Sequence, residues 1–308
     1  MKRDFISLLD WSSREIRETL ELAKELKRLN LKGECPQYLN GKSYAMIFHK
    51  DSLRTRVSFE VGIKQMGGHC VHLTDKDFVM GKREPVADVA QVLSRYVDGI
   101  LIRTFGHQEV VRLGQVASVP VINMLTDWLH PCQIMADIMT IEEHRGSSER
   151  ARVVYLGDGN NVTNSWINMA ARLPLDLWVV TSPETLPDME LVENARKEGL
   201  SNIHVVHSWD EAVKNADVLY TDVWASMGEK EKINERVQML QGFQINQDMV
   251  NHSKKNVMVM HCLPAERGHE ITAEVLDGPN SVVFDQAENR LHAQKAIMVQ
   301  LEKWRTAG

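Results

Sequence analysis

The pattern that decides the fold is SYAMIFH at 43–49, followed after two residues by SLRTR at 52–56. The first run is short and apolar, which is typical of a buried strand. Apolar residues then continue to Met66, and Gly67-Gly68 stops the segment. We therefore predict a strand, a tight turn and a helix, with Ser52 as the N-cap of the helix.

Two arginines, Arg54 and Arg56, fall in the first turn of this helix. Cations are unfavourable there, because the helix dipole already makes the N-terminus positive. A bound phosphate would offset the repulsion, since backbone N–H groups, hydroxyls and guanidinium groups would all point at it. The sequence therefore indicates an anion site, with a capped surface helix and solvated arginines as the alternative.

The composition limits the classes of function. The 308 residues are enough for two domains, and a content of 43% hydrophobic and 25% charged residues is ordinary for a globular protein. The net charge of −6 argues against a general nucleic-acid or membrane-surface role. We expect no signal peptide and no membrane span, because no apolar run approaches the necessary ~20 residues. The cysteines are far apart, which argues against disulfides or a zinc site and favours a reducing cytoplasm: Cys35, Cys70, Cys132 and Cys262.

Strands and helices alternate along the first half of the chain. Predicted strands lie at 70–73, 99–103 and 119–123, and predicted helices at 86–96, 107–117 and 134–144. This alternation predicts a parallel sheet with helices on its faces. In such sheets ligands collect at the carboxyl ends of the strands. Arg103 and the Ser52 turn both lie at such ends.

A second alternating block follows a linker at 146–148. Predicted strands lie at 151–156, 175–180, 204–206, 217–222 and 256–261, and predicted helices at 164–173, 190–198 and 209–215, with a long final helix from 287. The polar segment 224–247 is predicted to be a functional loop. The fold class is therefore α/β, with two domains, each a parallel sheet flanked by helices, and an active-site cleft between them. We place the first domain at 1–145, joined by the C-terminal helix at about 287–308, and the second at 146–286.

Two patterns point to other kinds of enzyme. Gly157-x-Gly159 after a strand matches part of a dinucleotide fingerprint, but the third glycine position is Val162, so a nicotinamide enzyme is a weak alternative. Cys262 beside His261 is compatible with a hydrolase nucleophile. Adjacent residues on a strand point to opposite faces, however, which disfavours a direct Cys–His pair.

Asp222 and Cys262 form a more informative combination. Both follow short apolar strands, so both are expected at the same sheet edge, where a carboxylate and a thiol can hold an amine. Asn161 and the segment Ser226-Met227-Gly228 complete a polar pocket for a small zwitterion. The first domain supplies cationic and hydrogen-bonding groups: Ser52, Arg54, Thr55, Arg103, His130 and Gln133. An anion on one side and an amino acid on the other indicate group transfer across a domain cleft.

Five motifs together resemble the signatures of the ornithine carbamoyltransferases: SLRTR at 52–56, HPCQ at 130–133, Asp222 with SMG at 226–228, HCLP at 261–264 and FDQAENR at 284–290. They occur in the order and at the spacing of that family, and the resemblance covers essentially the whole chain. Aspartate carbamoyltransferases resemble the chain in the first two motifs. They lack the SMG loop and the HCLP strand end, which belong to ornithine recognition.

The resemblance implies a role for each matching residue. The phosphate of carbamoyl phosphate would be bound by Ser52, Leu53, Arg54 and Thr55. The carbamoyl group would be held by Arg103, His130 and Gln133, with Cys262, Leu263 and Arg290 also reaching this substrate. Ornithine would be held by Asn161, Asp222, Ser226 and Met227. The catalytic residues would be Cys262, Arg103, His130 and Asp222, with no cofactor and no metal.

The implied activity converts carbamoyl phosphate and L-ornithine to L-citrulline and phosphate, in arginine biosynthesis in the cytoplasm. The family assembles as trimers with active sites at subunit interfaces, so a homotrimer or a multiple of trimers is expected, without nucleic acid or membrane partners. Phosphate would leave with its charge met by Arg54, Arg56 and the helix N-terminus. Two departures from the family pattern are Leu53, usually Thr or Met, and Val79, often a glutamine that reaches carbamoyl phosphate.

Two alternatives stay open at this point. The acceptor amine could belong to putrescine or to a modified ornithine, although Ser226-Met227-Gly228 favours free ornithine, because putrescine has no α-carboxylate to hold. The chain could also be a non-catalytic relative that only binds a ligand or partner. Against this, every position that carries the chemistry matches the family except Val79.

Overall fold

The computed structural model describes residues 2–78, 80–81, 84–224 and 233–306. The chain forms two compact units, Met1–Met139 with Glu288–Gly308, and Thr140–Ala287. The division falls inside two helices, α5 (Pro131–Arg145) and α12 (Val283–Thr306). Among the described residues, no helix is both long enough and apolar enough to span a membrane.

The first unit is built on a four-stranded parallel sheet. Its strands are β1 (Ser43–Phe48), β2 (His69–Thr74), β3 (Gly99–Arg103) and β4 (Val121–Leu125), in the order β2-β1-β3-β4. Its other helices are α1 (Ser13–Leu31), α2 (Leu53–Gln65), α3 (Val86–Tyr96) and α4 (His107–Val116). The predicted strand, turn and helix at 43–66 are confirmed, and so is the predicted parallel sheet.

The core of the first unit lies against its central strands. Every residue of β3 and β4 is buried, as expected for parallel strands that are covered on both faces. Ile100 and Ile102 of β3 pack with Val110 and Leu113 of α4, and all four side chains are fully buried. Burial of one such side chain contributes roughly 1.5–3 kcal/mol. This packing fixes the end of β3, where Arg103 leaves the sheet.

The second unit is built on a five-stranded parallel sheet. Its strands are β5 (Arg152–Leu156), β6 (Asp176–Val180), β7 (Asn202–Val206), β8 (Val218–Thr221) and β9 (Met258–His261), in the order β7-β6-β5-β8-β9. Its remaining helices are α6 (Asn161–Ala170), α7 (Met189–Lys197), α8 (Asp210–Val213), α9 (Ile233–Leu240), α10 (Gln247–His252) and α11 (Ala273–Leu276). The strand order reverses between β5 and β8, which is where such sheets bind ligands.

Residues 224–247 differ from the predicted long loop. Within the described part of this segment, α9 (Ile233–Leu240) is followed by a short 3₁₀ turn at Gln241–Phe243. Leu240 and Phe243 are buried in the core of the second unit, which holds the helix in place. Ile233, Val237 and Leu240 have the spacing of one helix face, a short signal that the loop prediction overlooks beside the charged residues between 229 and 235. The final helix also begins earlier than predicted, at Val283 instead of 287.

Candidate active site

The turn after β1 presents the N-terminus of α2. Ser52 has extended backbone angles, and its side-chain oxygen accepts a hydrogen bond from the Thr55 N–H at 3.2 Å, so the predicted N-cap is confirmed. Thr55 is 1% exposed, whereas Leu53 is 75% exposed. Arg54 is half-buried in the same turn. The first turn therefore offers backbone N–H groups, a buried hydroxyl and a guanidinium group at the positive end of the helix.

Arg103 joins the Thr55 hydroxyl from the end of β3. Its Nε donates to the Lys50 carbonyl at 3.1 Å, and its Nη1 donates to Thr55 Oγ1 at 3.4 Å. The Arg103 side chain is nearly buried, so its charge acts in a poorly solvated environment. The two residues are 48 positions apart in sequence, and the pairing of β1 with β3 brings them together.

A second arginine reaches the same hydroxyl from the last helix. Arg290 Nη2 lies 3.5 Å from Thr55 Oγ1, and Arg290 Nη1 donates to Gln133 Oε1 at 2.6 Å. Gln133 in turn donates to Asp137 Oδ1 at 2.8 Å, one turn along α5. Four elements, α2, β3, α5 and α12, thus place cationic and amide groups around Thr55. All the residues of this group belong to the first unit.

His130 lies in this cationic group and is nearly buried. Burial lowers the pKa of His130 well below its ordinary value, and the charges of Arg290, Arg103, Lys50 and Arg54 lower it further. The imidazole is therefore neutral at pH 7 and can donate one hydrogen bond without adding a charge. The same electrostatic field that keeps this histidine neutral would attract an anion.

Arg56 does not join the group around Thr55. Its Nε lies 3.6 Å from Glu60 Oε2, and both side chains are about half exposed. The charge expected from Arg56 at the phosphate is thus directed to an exposed i,i+4 ion pair. Such pairs contribute only ~0.3–0.5 kcal/mol to stability.

In the second unit, Asp222 and Cys262 meet at the ends of β8 and β9. The Cys262 thiol donates to Asp222 Oδ1 at 2.8 Å, and strand pairing places Thr221 opposite His261 immediately before them. The Asp222 carboxylate also accepts from the Val223 N–H at 2.8 Å. The predicted meeting of the carboxylate and the thiol at one sheet edge is confirmed, and the pair can accept hydrogen bonds from an amine.

The sequence reasoning named Asn161 at this edge and missed its neighbour. Asn160 Nδ2 donates to Asp222 Oδ2 at 2.9 Å, while Asn160 Oδ1 caps α6 by accepting from the N–H groups of Val162 and Thr163. Asn161 is the first residue of α6. The missed signal was the N-cap itself, since an asparagine before a helix is fixed in orientation and its amide N–H is left for a neighbour.

Comparison with known proteins identifies the family of the chain. The sequence profile described as "Aspartate/ornithine carbamoyltransferase, carbamoyl-P binding domain" matches residues 3–143, and the profile described as "Asp/Orn binding domain" matches residues 149–301. The chain belongs to the aspartate/ornithine carbamoyltransferase family. The resemblance inferred from the five motifs is therefore confirmed.

Individual carbamoyltransferases are similar over nearly their whole length. The ornithine carbamoyltransferase of Carboxydothermus hydrogenoformans is 50% identical over 302 residues, which are 97% of each chain. That of Syntrophus aciditrophicus is 49% identical over 299 residues, which are 97% of this chain and 99% of the relative. The solved structure of ornithine carbamoyltransferase from Pyrococcus furiosus superimposes with a TM-score of 0.92 at 47% identity, covering 96% of both chains.

In this member of the carbamoyltransferase family, His261 supports the HCLP turn from inside the core. Its Nδ1 accepts from the Leu263 N–H at 2.8 Å, so its Nε2 carries the proton and donates to Glu270 Oε1 at 2.9 Å. His261 and Glu270 are both fully buried. Although Asp222, His261 and Cys262 place ligand atoms within 4.8 Å of one another, both His261 ring nitrogens are already engaged. The histidine therefore positions the turn, and Cys262 pairs with Asp222 instead of with His261.

Gly159, the second glycine of the partial dinucleotide fingerprint, is required for close packing. A Cβ on Gly159 would lie 2.3 Å from the Pro187 backbone nitrogen and 2.4 Å from the Leu186 carbonyl carbon, so only glycine fits. Asp158 of the same turn pairs with Arg236 of α9 at 2.6 Å. A carboxylate in this turn is unsuited to a pyrophosphate, which removes the support for a nicotinamide enzyme.

Four predicted or questioned positions lie outside the described residues: Val79, Ser226, Met227 and Gly228. Cys132 of the HPCQ motif is described and is fully buried, with its thiol directed to the Asn123 carbonyl at 3.4 Å. Burial raises the pKa of the Cys132 thiol to about 12. It is therefore a core residue and not a nucleophile.

Proposed function

We propose that the chain transfers the carbamoyl group of carbamoyl phosphate to the δ-amine of L-ornithine, which yields L-citrulline and phosphate, as in arginine biosynthesis. The observation that carries this proposal is the Asp222–Cys262 pair at the end of β8 and β9. A carboxylate that is hydrogen-bonded to a thiol can accept hydrogen bonds from the amine of a substrate. Curated relatives that are 49% and 50% identical to the chain are named ornithine carbamoyltransferases, which supports ornithine as the acceptor.

Carbamoyl phosphate is assigned to the cationic group of the first unit. The phosphate is held by the first turn of α2, through the N–H groups of Ser52, Leu53 and Arg54, the Thr55 hydroxyl and the Arg54 guanidinium. Arg103, His130, Gln133 and Arg290 hold the carbamoyl end. The neutral state of His130 supports this role, because a neutral imidazole can donate to the carbamoyl oxygen while Arg103 supplies the charge.

Ornithine is assigned to the edge of the second sheet. Asp222 accepts from the δ-amine, Cys262 and Leu263 flank it, and Asn161, Ser226 and Met227 hold the α-amino and α-carboxylate groups. Asn160 is added to this set as a positioning residue, because it fixes the second oxygen of Asp222. Oδ1 accepts from the Cys262 thiol and the Val223 N–H, so both oxygens of the carboxylate are held in a fixed orientation for the amine.

The reaction follows from these groups. The δ-amine attacks only when neutral, and Asp222 eases the loss of its proton. The C–N bond forms, the bond from the carbamoyl carbon to the phosphate oxygen breaks, and the electron pair leaves with the phosphate, which accepts the proton that the attacking nitrogen loses. The carbamoyl oxygen gains charge in the transition state, where Arg103 and His130 stabilise it. Loss of one such donor typically costs ~2.7–4 kcal/mol, or ~10²–10³ in rate.

The acceptor is tested by comparing ornithine, putrescine and aspartate at saturating carbamoyl phosphate. We expect carbamoylation of ornithine at least tenfold faster than of either other amine. If putrescine is carbamoylated faster than ornithine, putrescine is the acceptor substrate and the assignment of ornithine is wrong. No phosphate release with any amine would instead support a non-catalytic role.

The homotrimer expected for the family is part of the proposal. Leu53, Val57 and Val61 follow one another at i, i+4 and i+8 along α2, and all three side chains are exposed, as is Val71 of β2. An apolar stripe of this kind on a helix favours burial against a second copy of the chain. Leu53 belongs both to this stripe and to the phosphate-binding turn, which supports an active site beside the subunit interface.

A cytoplasmic location is also proposed. Cys262 acts as a thiol hydrogen-bonded to Asp222, and a thiol in this role must stay reduced. Fractionation of cells with an antibody to the chain tests the assignment. Recovery from an oxidising compartment would contradict it.

A further inference from the structure

Gln294 lies one helical turn after Arg290 on α12 and is fully buried. Its amide group lies between two residues of the first unit. One end is 2.7 Å from Ser58 Oγ on α2, and the other is 3.0 Å from Arg290 Nε and 2.8 Å from Arg290 Nη2. Gln294 and Ser58 both lie outside the five motifs of the sequence.

The Ser58 hydroxyl decides which end of the amide faces which neighbour. Ser58 Oγ donates to the Arg54 carbonyl at 2.6 Å, so its oxygen is left to accept. The Gln294 NH₂ group therefore faces Ser58 and also donates to the Arg290 carbonyl at 3.3 Å. The Gln294 carbonyl oxygen then accepts from both Nε and Nη2 of the Arg290 guanidinium.

Arg290 is consequently held along two edges of its planar group. Gln294 engages Nε and Nη2, while Gln133 engages Nη1 and Thr55 accepts from Nη2. A guanidinium with five N–H donors in a fixed plane has little rotational freedom under these contacts. Its orientation is thus set by residues of α2, α5 and α12 together.

We infer that Gln294 is a positioning residue that links the phosphate-binding helix, through Ser58, to the Arg290 guanidinium and so fixes Arg290 for carbamoyl phosphate. The inference rests on the proposed function of the Arg290 site. Ser58 lies one turn after Arg54 and donates to its backbone carbonyl, so the amide couples the Arg290 guanidinium to the backbone of the phosphate-binding turn. A neutral amide suits this place, because a carboxylate would pair with Arg290 and offset the charge that the substrate needs.

The test begins with Gln294→Met, which keeps the length of the side chain and removes both hydrogen bonds. Because hydrogen bonds to charged groups are strong, we expect KM for carbamoyl phosphate to rise about tenfold or more, while KM for ornithine changes less than twofold. Gln300→Met, six residues further along α12 and also buried, is the matched control and should leave both constants unchanged.

Gln294→Glu gives a readout that a structural role would not move. At pH 8 its carboxylate pairs with Arg290, so KM for carbamoyl phosphate rises. An ion pair with Arg290 keeps this carboxylate ionised, so the rise in KM should occur without a loss of thermal stability, which a merely structural role would require. Ser58→Ala removes only the anchor of the amide, and about a 2- to 10-fold rise in the same KM is expected.

The outcomes separate this inference from the proposed function. If citrulline is formed but both Gln294→Met and Ser58→Ala keep the wild-type KM for carbamoyl phosphate, the inference is overturned and the proposed function stands. If the wild type forms no citrulline, the proposed function fails, and binding of inorganic phosphate measured by calorimetry replaces KM as the readout. If Gln294→Met does not fold, Ser58→Ala is the test of the inference. Unchanged binding of carbamoyl phosphate or inorganic phosphate by Ser58→Ala would then contradict it.

Discussion

The Cys262 thiol donates a hydrogen bond to Asp222 Oδ1 across 2.8 Å, although 40 residues separate the two in sequence. The parallel pairing of β8 with β9 creates this contact, because both strands end at the same edge. With Asn160 on its other oxygen, the Asp222 carboxylate is held in one orientation. The orientation of the Asp222 carboxylate is therefore set by the sheet and by a helix cap.

Asp222→Asn should remove the acceptor of the amine proton while keeping the size of the side chain. We expect kcat to fall by about 10²–10⁴, the range that a general base contributes. Asp210→Asn, at an exposed position of α8, is the matched control and should keep wild-type kcat. Retention of more than a tenth of wild-type kcat by Asp222→Asn would remove this carboxylate from the chemistry.

Arg54→Ala and Arg56→Ala are a matched pair within one helical turn. Arg54 lies at the cationic group, whereas Arg56 pairs with Glu60 at 3.6 Å on the surface. We expect Arg54→Ala to lose activity by about 10²–10³ or more, with little change in thermal stability. Arg56→Ala should stay near the wild type. Equal losses in the two variants would place the phosphate elsewhere.

The buried side chain of His292 should make the folded protein less stable as the pH falls. This side chain on α12 is 0% exposed, and burial lowers its pKa to about 3, with the charges of Lys295 and Lys27 lowering it further. Between pH 6.5 and 3 the unfolded chain therefore binds a proton that the folded chain does not, so stability falls as the pH falls through this window. The slope contributed by this one group is up to ~1.36 kcal/mol per pH unit.

Urea denaturation at pH 7 and at pH 5 measures this effect. The nearest acidic group is Glu288, whose Oε1 lies 3.7 Å from His292 Nε2, and it does not offset burial. In His292→Gln, the loss of stability between the two pH values should be smaller than in the wild type. The same loss in both proteins would assign the acid sensitivity to other groups.

The exposed apolar stripe on α2 predicts the oligomeric state. In light scattering the wild type should have a mass about three times the 35.1 kDa of the chain, or a multiple of that. Val57→Asp should lower this mass, because a charge in an apolar interface is costly. Glu60→Asp, on the same helix but in an ion pair, should leave the mass unchanged. A monomeric wild type would contradict the assignment.

Sequence reasoning succeeded where local chemistry or strand geometry decides the outcome. The N-cap at Ser52 follows from residue type alone, and the meeting of Asp222 with Cys262 follows from the alignment of parallel strand ends. Sequence reasoning failed where a partner comes from a distant element. Gln294 and Asn160 are ordinary polar residues until folding places them beside Arg290 and Asp222.

A different failure concerns α9, which was predicted as part of a loop. Ile233, Val237 and Leu240 follow one another at i, i+4 and i+7, which is a helical spacing of apolar residues. The signal spans only eight residues and follows a charged run, so the loop prediction overlooks it. Leu240 and Val237 pack against the core of the second unit, and this packing stabilises so short a helix.

The most direct test follows the reacting carbon itself. With ¹³C-labelled carbamoyl phosphate and L-ornithine, ¹³C NMR should show the label move into the ureido carbon of citrulline, with one phosphate released for each citrulline formed. Asp222→Asn under the same conditions should show almost no transfer. Release of phosphate without labelled citrulline, or transfer of the label to an amine other than ornithine, would contradict the account.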